Sequence, residues 1–94
     1  MTSKQRAYLR SLANRTETIL QVGKGGINDN LIKQVDDALE ARELIKLHNL
    51  ETSPYSVKEA MTALAEATQS EPVASVGNRF VLYRESKNNK KIEL

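Results

Sequence analysis

Apolar residues recur along this chain with two alternating periods, and the alternation predicts three helices and four strands. Tyr8, Leu9, Leu12 and Ala13 repeat at helical spacing and give one inner face. Thr2-Ser3-Lys4-Gln5 ahead of them is a capping box, so a helix is predicted to about Asn14. Ile19, Leu20 and Val22 form a short, partly β-branched run that suits a mostly buried strand. Leu31, Val35, Ala38 and Leu39 give a second helical stripe from about Asp29 to Ala41. Asn28 is its cap, with Ile27 and Ile32 at the staple positions. Leu44, Ile45, Leu47 and Leu50 mark a second strand, in which Lys46 and His48 alternate onto one face. Ser53-Pro54 is a break, and Ser56-Val57-Lys58-Glu59 is a second capping box. The helix that follows, to about Gln69, carries Val57, Met61, Leu64 and Ala65 inward, with Met61 as core filler. Glu71-Pro72 closes that region. Val73–Val76 and Arg79–Arg84 flank Gly77-Asn78, a hairpin pattern.

The predicted order is helix, strand, helix, strand, helix, strand, strand. Strands separated by helices imply parallel pairing, and the final hairpin adds an antiparallel pair. The expected class is therefore α/β, more narrowly α+β, with a mixed four-stranded sheet in a single domain over residues 1–94. Three helices on so small a sheet should leave part of one face exposed. Lys87-Asn88-Asn89-Lys90-Lys91 is polar and basic, and residues 87–94 are expected to fray as a flexible tail, the alternative being a flexible arm that touches an anionic partner.

An apolar content of 39% and a charged content of 28% indicate a folded chain rather than a disordered one. Lys plus Arg is 14 and Asp plus Glu is 12, a net charge of +2, so any electrostatic function must rest on where the charges sit. With no cysteine there is no disulfide framework or thiolate metal site, and the single His48 cannot hold zinc alone. No serine, cysteine or acidic partner is placed to make His48 a catalytic base. No metal or cofactor is expected. No apolar run approaches membrane-spanning length and no signal-peptide core opens the chain, so a soluble cytoplasmic protein without a membrane partner is the expectation.

Three of the four glycines lie in Gly23-Lys24-Gly25-Gly26, between the first strand and the second helix. A loop of that kind, with one lysine and the free N–H groups of a helix start, suits phosphate. It equally fits a plain turn. A P-loop requires Gly-Lys-Ser/Thr, and Lys24 is followed by glycine. A dinucleotide fingerprint requires a third glycine where Asn28 stands. What remains is Gly-x-x-Gly, a form that clamps the nucleic-acid backbone in some RNA-binding domains. Arg6 and Arg10 share an outer face of the first helix, four residues apart. Asp36, Asp37 and Glu40 are expected to be solvated and turned away from any nucleic acid.

Taken together, the pieces resemble the YhbY-type bacterial proteins, the stand-alone form of the CRM domain (chloroplast RNA splicing and ribosome maturation). The matching stretches are Lys4-Gln5-Arg6-Ala7-Tyr8-Leu9-Arg10, Gln21-Val22-Gly23-Lys24-Gly25-Gly26-Ile27, Ala38-Leu39-Glu40, Glu43-Leu44-Ile45-Lys46-Leu47, and Val76-Gly77 with Phe80-Val81-Leu82-Tyr83-Arg84. Where many relatives carry Leu-x-Pro before the first strand, this chain has Arg15-Thr16-Glu17. The resemblance implies a fold similar to the C-terminal domain of bacterial translation initiation factor three. It also implies RNA binding in assembly of the large ribosomal subunit. Carried over by residue, it implies an RNA-contacting loop at Gly23, Lys24, Gly25 and Gly26, with basic residues at Lys4, Arg6, Arg10, Lys46 and Arg84.

The expectation is a monomeric, non-enzymatic module that meets ribosomal RNA of a large-subunit precursor. With one Phe and three Tyr, a platform of several stacked aromatics is not expected, so recognition should lean on backbone and shape. A small hydrolase or nucleotide-binding enzyme would show turnover. A protein-interaction adaptor of the ribosome or translation factors would keep its partner after RNase treatment.

Overall fold

The computed structural model describes residues 1–94, and the chain runs α1 (Ser3–Ala13), β1 (Thr18–Val22), α2 (Asp29–Arg42), β2 (Leu44–Asn49), α3 (Val57–Thr68), β3 (Glu71–Val76) and β4 (Arg79–Tyr83). This is the order the apolar pattern predicts. Each helix start is fixed by a side chain. The Gln5 N–H donates to Thr2 Oγ1 at 3.1 Å while Gln5 Oε1 accepts the Thr2 N–H at 3.0 Å. Ser56 and Glu59 repeat the exchange at 3.1 and 2.8 Å, and Asn28 Oδ1 accepts the Leu31 N–H at 2.9 Å. Each cap stabilises its helix by about 1 kcal/mol.

The strands form one sheet in the order β1-β2-β4-β3. β1 and β2 are parallel, joined through α2, and β4 is antiparallel to both β2 and β3. Alternation then sorts the side chains. Val22, Ile45, Leu47, Phe80 and Leu82 pack against Leu31, Val35 and Leu39 of α2 and Ala60 and Leu64 of α3. On the other face Leu44, Val73, Val81 and Tyr83 meet Leu9 and Ala13 of α1. One helix cannot cover four strands: α1 lies across β2, β3 and β4, and part of its face of the sheet is left open as expected.

Three local expectations differ from what is found. β3 begins at Glu71 and contains Pro72, which an edge strand with an irregularity between Pro72 and Ala74 can hold. The end of α3 is set instead by Gln69, in the left-handed region at φ 55°. Tyr8 is 48% exposed and stands beside Lys4 and Leu94 rather than under α1, so Leu9 and Ala13 carry that helix's burial. The expected flexible tail is the third difference. Five backbone N–H groups from Ser86 to Ile92 donate to the carboxylates of Glu40 and Glu43 at the end of α2. A buried carboxylate needs donors, and the tail's backbone supplies them. Glu40 was expected to be solvated; its carboxylate holds Ser86 Oγ at 2.6 Å as well.

Candidate nucleic-acid interface

β1 and β2 run side by side and end together, so the segments that follow them meet. The Leu50 N–H reaches Val22 O at 2.9 Å, which carries the pairing to the edge of the glycine loop. The Gly26 N–H then turns back to Gly23 O at 2.9 Å and closes a tight turn. Gly26 is buried with φ +67°, and a Cβ there would lie 3.3 Å from both Pro54 Cγ and Tyr55 Cε2. Glycine is therefore required at Gly26 for conformation and for room. At Gly25 a Cβ would meet only Asn28 Nδ2 at 3.6 Å, and at Gly23 it would make ordinary contact with Leu50. Lys24 and Gly25 form the exposed tip, where neither backbone N–H has a protein acceptor and Lys24 has no ion pair. Asp29 already places a carboxylate in the first turn of α2, so the tip is the better place for an incoming anion than the helix start. Tyr55, 37% exposed, stands beside the loop through its packing on Gly26.

Sequence-selected cations separate into two groups. Arg10 on α1 and Lys46 on β2 line an open groove of about 630 Å³ between α1 and the sheet. Neither is engaged in a hydrogen bond or ion pair with the protein. Arg79, which opens β4, lines the same groove. Sequence reasoning passed over Arg79 as a strand end, although the alternation was available: Phe80 and Leu82 face the helical pair, so Arg79 and Val81 face α1. Because Arg79 pairs with His48 near the C-terminal end of β2, the groove opens toward the end of the sheet that carries the glycine loop. His48 is half-buried on this face, two strands from β3.

The remaining cations point elsewhere. Arg6 donates through Nη1 to the backbone oxygen of Pro72 and ties α1 to β3. Lys4 sits in the first turn of α1 beside Glu93 and Leu94. Arg84 follows β4 at the opposite end of the sheet from the loop. Its guanidinium pairs with the Asp36 carboxylate and donates to Thr68 O at 2.8 Å and Asp36 O at 3.0 Å. Arg6 and Arg84 are thus engaged by the protein itself, at the carbonyls of Pro72, Thr68 and Asp36 and at the Asp36 carboxylate, rather than left without partners. Asp36 is exposed, as expected, and its carboxylate also pairs with Arg84.

The fold and this surface define a small α+β module with a basic, half-open sheet face. The CRS1 / YhbY (CRM) domain model matches residues 1–84, and the chain belongs to that family. The Bacillus subtilis protein named "Probable RNA-binding protein YqeI" is 50% identical over 94 residues, covering 100% of this chain and 98% of its own length. A Haemophilus influenzae protein named "RNA-binding protein" is 26% identical over 90 residues, 96% of this chain and 91% of that one. A solution structure of a Staphylococcus aureus protein matches with a TM-score of 0.83 at 56% identity, over 100% of this chain and 98% of that chain. The family match ends at residue 84, so the tail held by Glu40 and Glu43 lies outside it. No helix is long and apolar enough to cross a membrane.

Proposed function

We propose that this chain binds RNA, and that its target is ribosomal RNA of a large-subunit precursor during ribosome assembly. The observation that carries RNA binding is a set of cations without protein partners, Lys24, Arg10 and Lys46, on the loop and the half-open sheet face. Membership of a family whose relatives are named as RNA-binding proteins agrees with it. The ribosomal target follows from the family resemblance.

In this reading the protein acts as a monomeric, cofactor-free binding module in the cytoplasm. A phosphate meets Lys24 Nζ and the N–H groups of Lys24 and Gly25 at the loop tip, with Gly23 and Gly26 shaping the turn. Arg10 and Lys46 fix orientation and contribute salt dependence. Lys4 adds a weaker, peripheral positive charge. Arg6 and Arg84 support the surface from within the fold.

Lys24→Ala tests the loop. It should weaken binding about equally for different RNA sequences and flatten log affinity against log salt by roughly 0.7 to 0.9, one released counterion. Lys24→Arg should retain most affinity. An unchanged slope in Lys24→Ala would make the loop a structural turn only. Crosslinking in cells followed by sequencing of the bound RNA tests the target: enrichment of large-subunit precursor sequence is expected, and enrichment of unrelated RNA would overturn the ribosomal assignment.

A further inference from the structure

The groove between α1 and the sheet has a composition that phosphate binding alone does not account for. Its floor and walls include Ala74, Val76 and Val81, with Arg10, Lys46 and Arg79 around them and no acidic residue among the lining. Val76 is 80% exposed, the most open of the large apolar side chains, at the end of edge strand β3. Arg79 is its cross-strand partner. The exposed Arg79 side chain makes one hydrogen bond, from Nε to Thr18 Oγ1 of β1 at 3.3 Å, which leaves its two outer nitrogens without a protein acceptor. At about 630 Å³ the groove is within the range of pockets that hold a small organic group.

We propose that this groove seats one unpaired nucleotide: its base lies on Val76, Ala74 and Val81, its phosphate is met by Arg10 and Lys46, and the Arg79 guanidinium leaves Thr18 on β1 to swing over the base. The proposal rests on the RNA-binding reading above and adds that the preferred RNA is single-stranded at this point. Charge complementarity selects an anion, since three cations surround the opening. The apolar floor selects an anion that also carries a flat, weakly hydrated surface. A splayed-out nucleotide has both parts. An RNA duplex keeps its base faces inside and offers only phosphates, riboses and groove edges, so it would leave Val76 uncovered. A guanidinium stacks on a base face as readily as it pairs with phosphate, which a lysine ammonium at the same position does not do. β1 and β4 are separated by β2, about 10 Å at ~4.8 Å per strand spacing. A strand of RNA held at the Lys24 tip therefore has a short path to the groove.

The test uses the full chain and three ten-nucleotide probes: an unpaired oligouridylate, the same strand with abasic riboses throughout, and a blunt duplex. Affinities are read by fluorescence anisotropy for the wild type, Arg79→Lys and Val76→Thr. Both variants keep the net charge, and a thermal melt confirms that each is folded. The wild type is expected to bind the unpaired strand at least about fivefold more tightly than the abasic one, the lower end for one stacked base. It should also prefer the unpaired strand to the duplex. In both variants the gap between unpaired and abasic strands should shrink toward one, with the salt slope kept. Equal binding of unpaired and abasic strands by the wild type, a preference for the duplex, or an undiminished gap in both variants would each overturn the seat. In those cases Lys24→Ala can still weaken every probe alike, and the RNA reading survives without the groove. If the wild type binds none of the three probes, the RNA reading fails and the seat falls with it.

Discussion

The Ile92 N–H donates to the buried carboxylate of Glu43 at 2.7 Å, across a separation of 49 residues. The Ser86 and Lys91 N–H groups reach the same carboxylate at 2.7 and 2.6 Å. Glu43 ends α2 with φ 67°, a conformation that a side chain with a Cβ seldom adopts. Its own N–H donates to Leu39 O at 2.8 Å and its carbonyl accepts from Arg84 at 3.0 Å. The strained backbone persists because five hydrogen bonds over-determine it. Glu43→Gln should therefore destabilise the protein by roughly 1–3 kcal/mol, since an amide offers one acceptor oxygen and leaves a buried N–H unmatched. At roughly 4–8 °C per kcal/mol for a domain of this size, the fall is plain in a thermal melt. An unchanged midpoint would mean that the tail contributes nothing to the fold.

The same contacts set a pH dependence. Burial pushes the Glu43 carboxyl up, but the N–H donors of Ser86, Lys91 and Ile92, helped by Lys90, outweigh it and hold the group below its usual value. The Ser86 hydroxyl, then the Lys87 and Asn88 N–H groups, hold Glu40 down as well. Both groups bind a proton less readily folded than unfolded. Their contribution is complete above the ordinary glutamate value of about 4.3 and is lost as the pH falls below it. On the alkaline side burial, then the charges of Glu43 and Glu85, raises the Tyr83 phenol, and Glu85 raises Lys90. That part is complete below about pH 10 and is lost as the pH rises further. Urea unfolding across pH should show a plateau between two falling limbs. Glu43→Gln should make the acid limb shallower, and an acid limb of wild-type steepness in that variant would remove Glu43 as its source.

The glycines of the loop should divide in the same kind of measurement. Gly26→Ala puts a Cβ at positive φ and 3.3 Å from Pro54 and Tyr55. A left-handed residue with a Cβ costs about 1–2 kcal/mol before any displacement of those neighbours. Gly25→Ala makes only an ordinary contact with Asn28 Nδ2 at 3.6 Å and has no positive φ, so its stability should stay within about 0.5 kcal/mol of the wild type. Equal losses at both positions would contradict the turn as described.

The helices and the order of elements along the chain were legible because caps and apolar periods are local: Thr2 with Gln5, Ser56 with Glu59, and the alternation about Lys46 and His48 all survive as read. The loop was legible as a turn, but its spacing gave all three glycines the same standing, and only contact with Pro54 and Tyr55 separates Gly26 from Gly25. What sequence could not supply was the partner of each charge. Arg84 and Arg10 look alike in a list of cations, and only the fold brings Thr68 O and Asp36 to one of them. The tail was illegible for a related reason. Its bonds to Glu40 and Glu43 use backbone N–H groups, which every residue but proline has and no composition reveals.

Arg84 and Arg10 provide the sharpest separation of support from contact. The Arg84 side chain is 23% exposed and joins β4 to α2 and α3 through Asp36 and Thr68 O. Arg84→Ala leaves those acceptors without their donor and should cost roughly 1–3 kcal/mol of stability. It lies at the end of the sheet away from the loop, so the salt slope of RNA binding should stay at the wild-type value, measured at a temperature where the variant is folded. Arg10 is exposed, unpaired and on the groove. Arg10→Ala replaces it with the best helix former, so stability should move by less than about 0.5 kcal/mol. Its salt slope should flatten by roughly 0.7 to 0.9 because one phosphate contact is lost. The pair therefore predicts opposite readouts from the same change of charge, which a general electrostatic effect cannot produce. A flattened slope in Arg84→Ala, with the wild-type slope kept in Arg10→Ala, would move the RNA to the other end of the sheet.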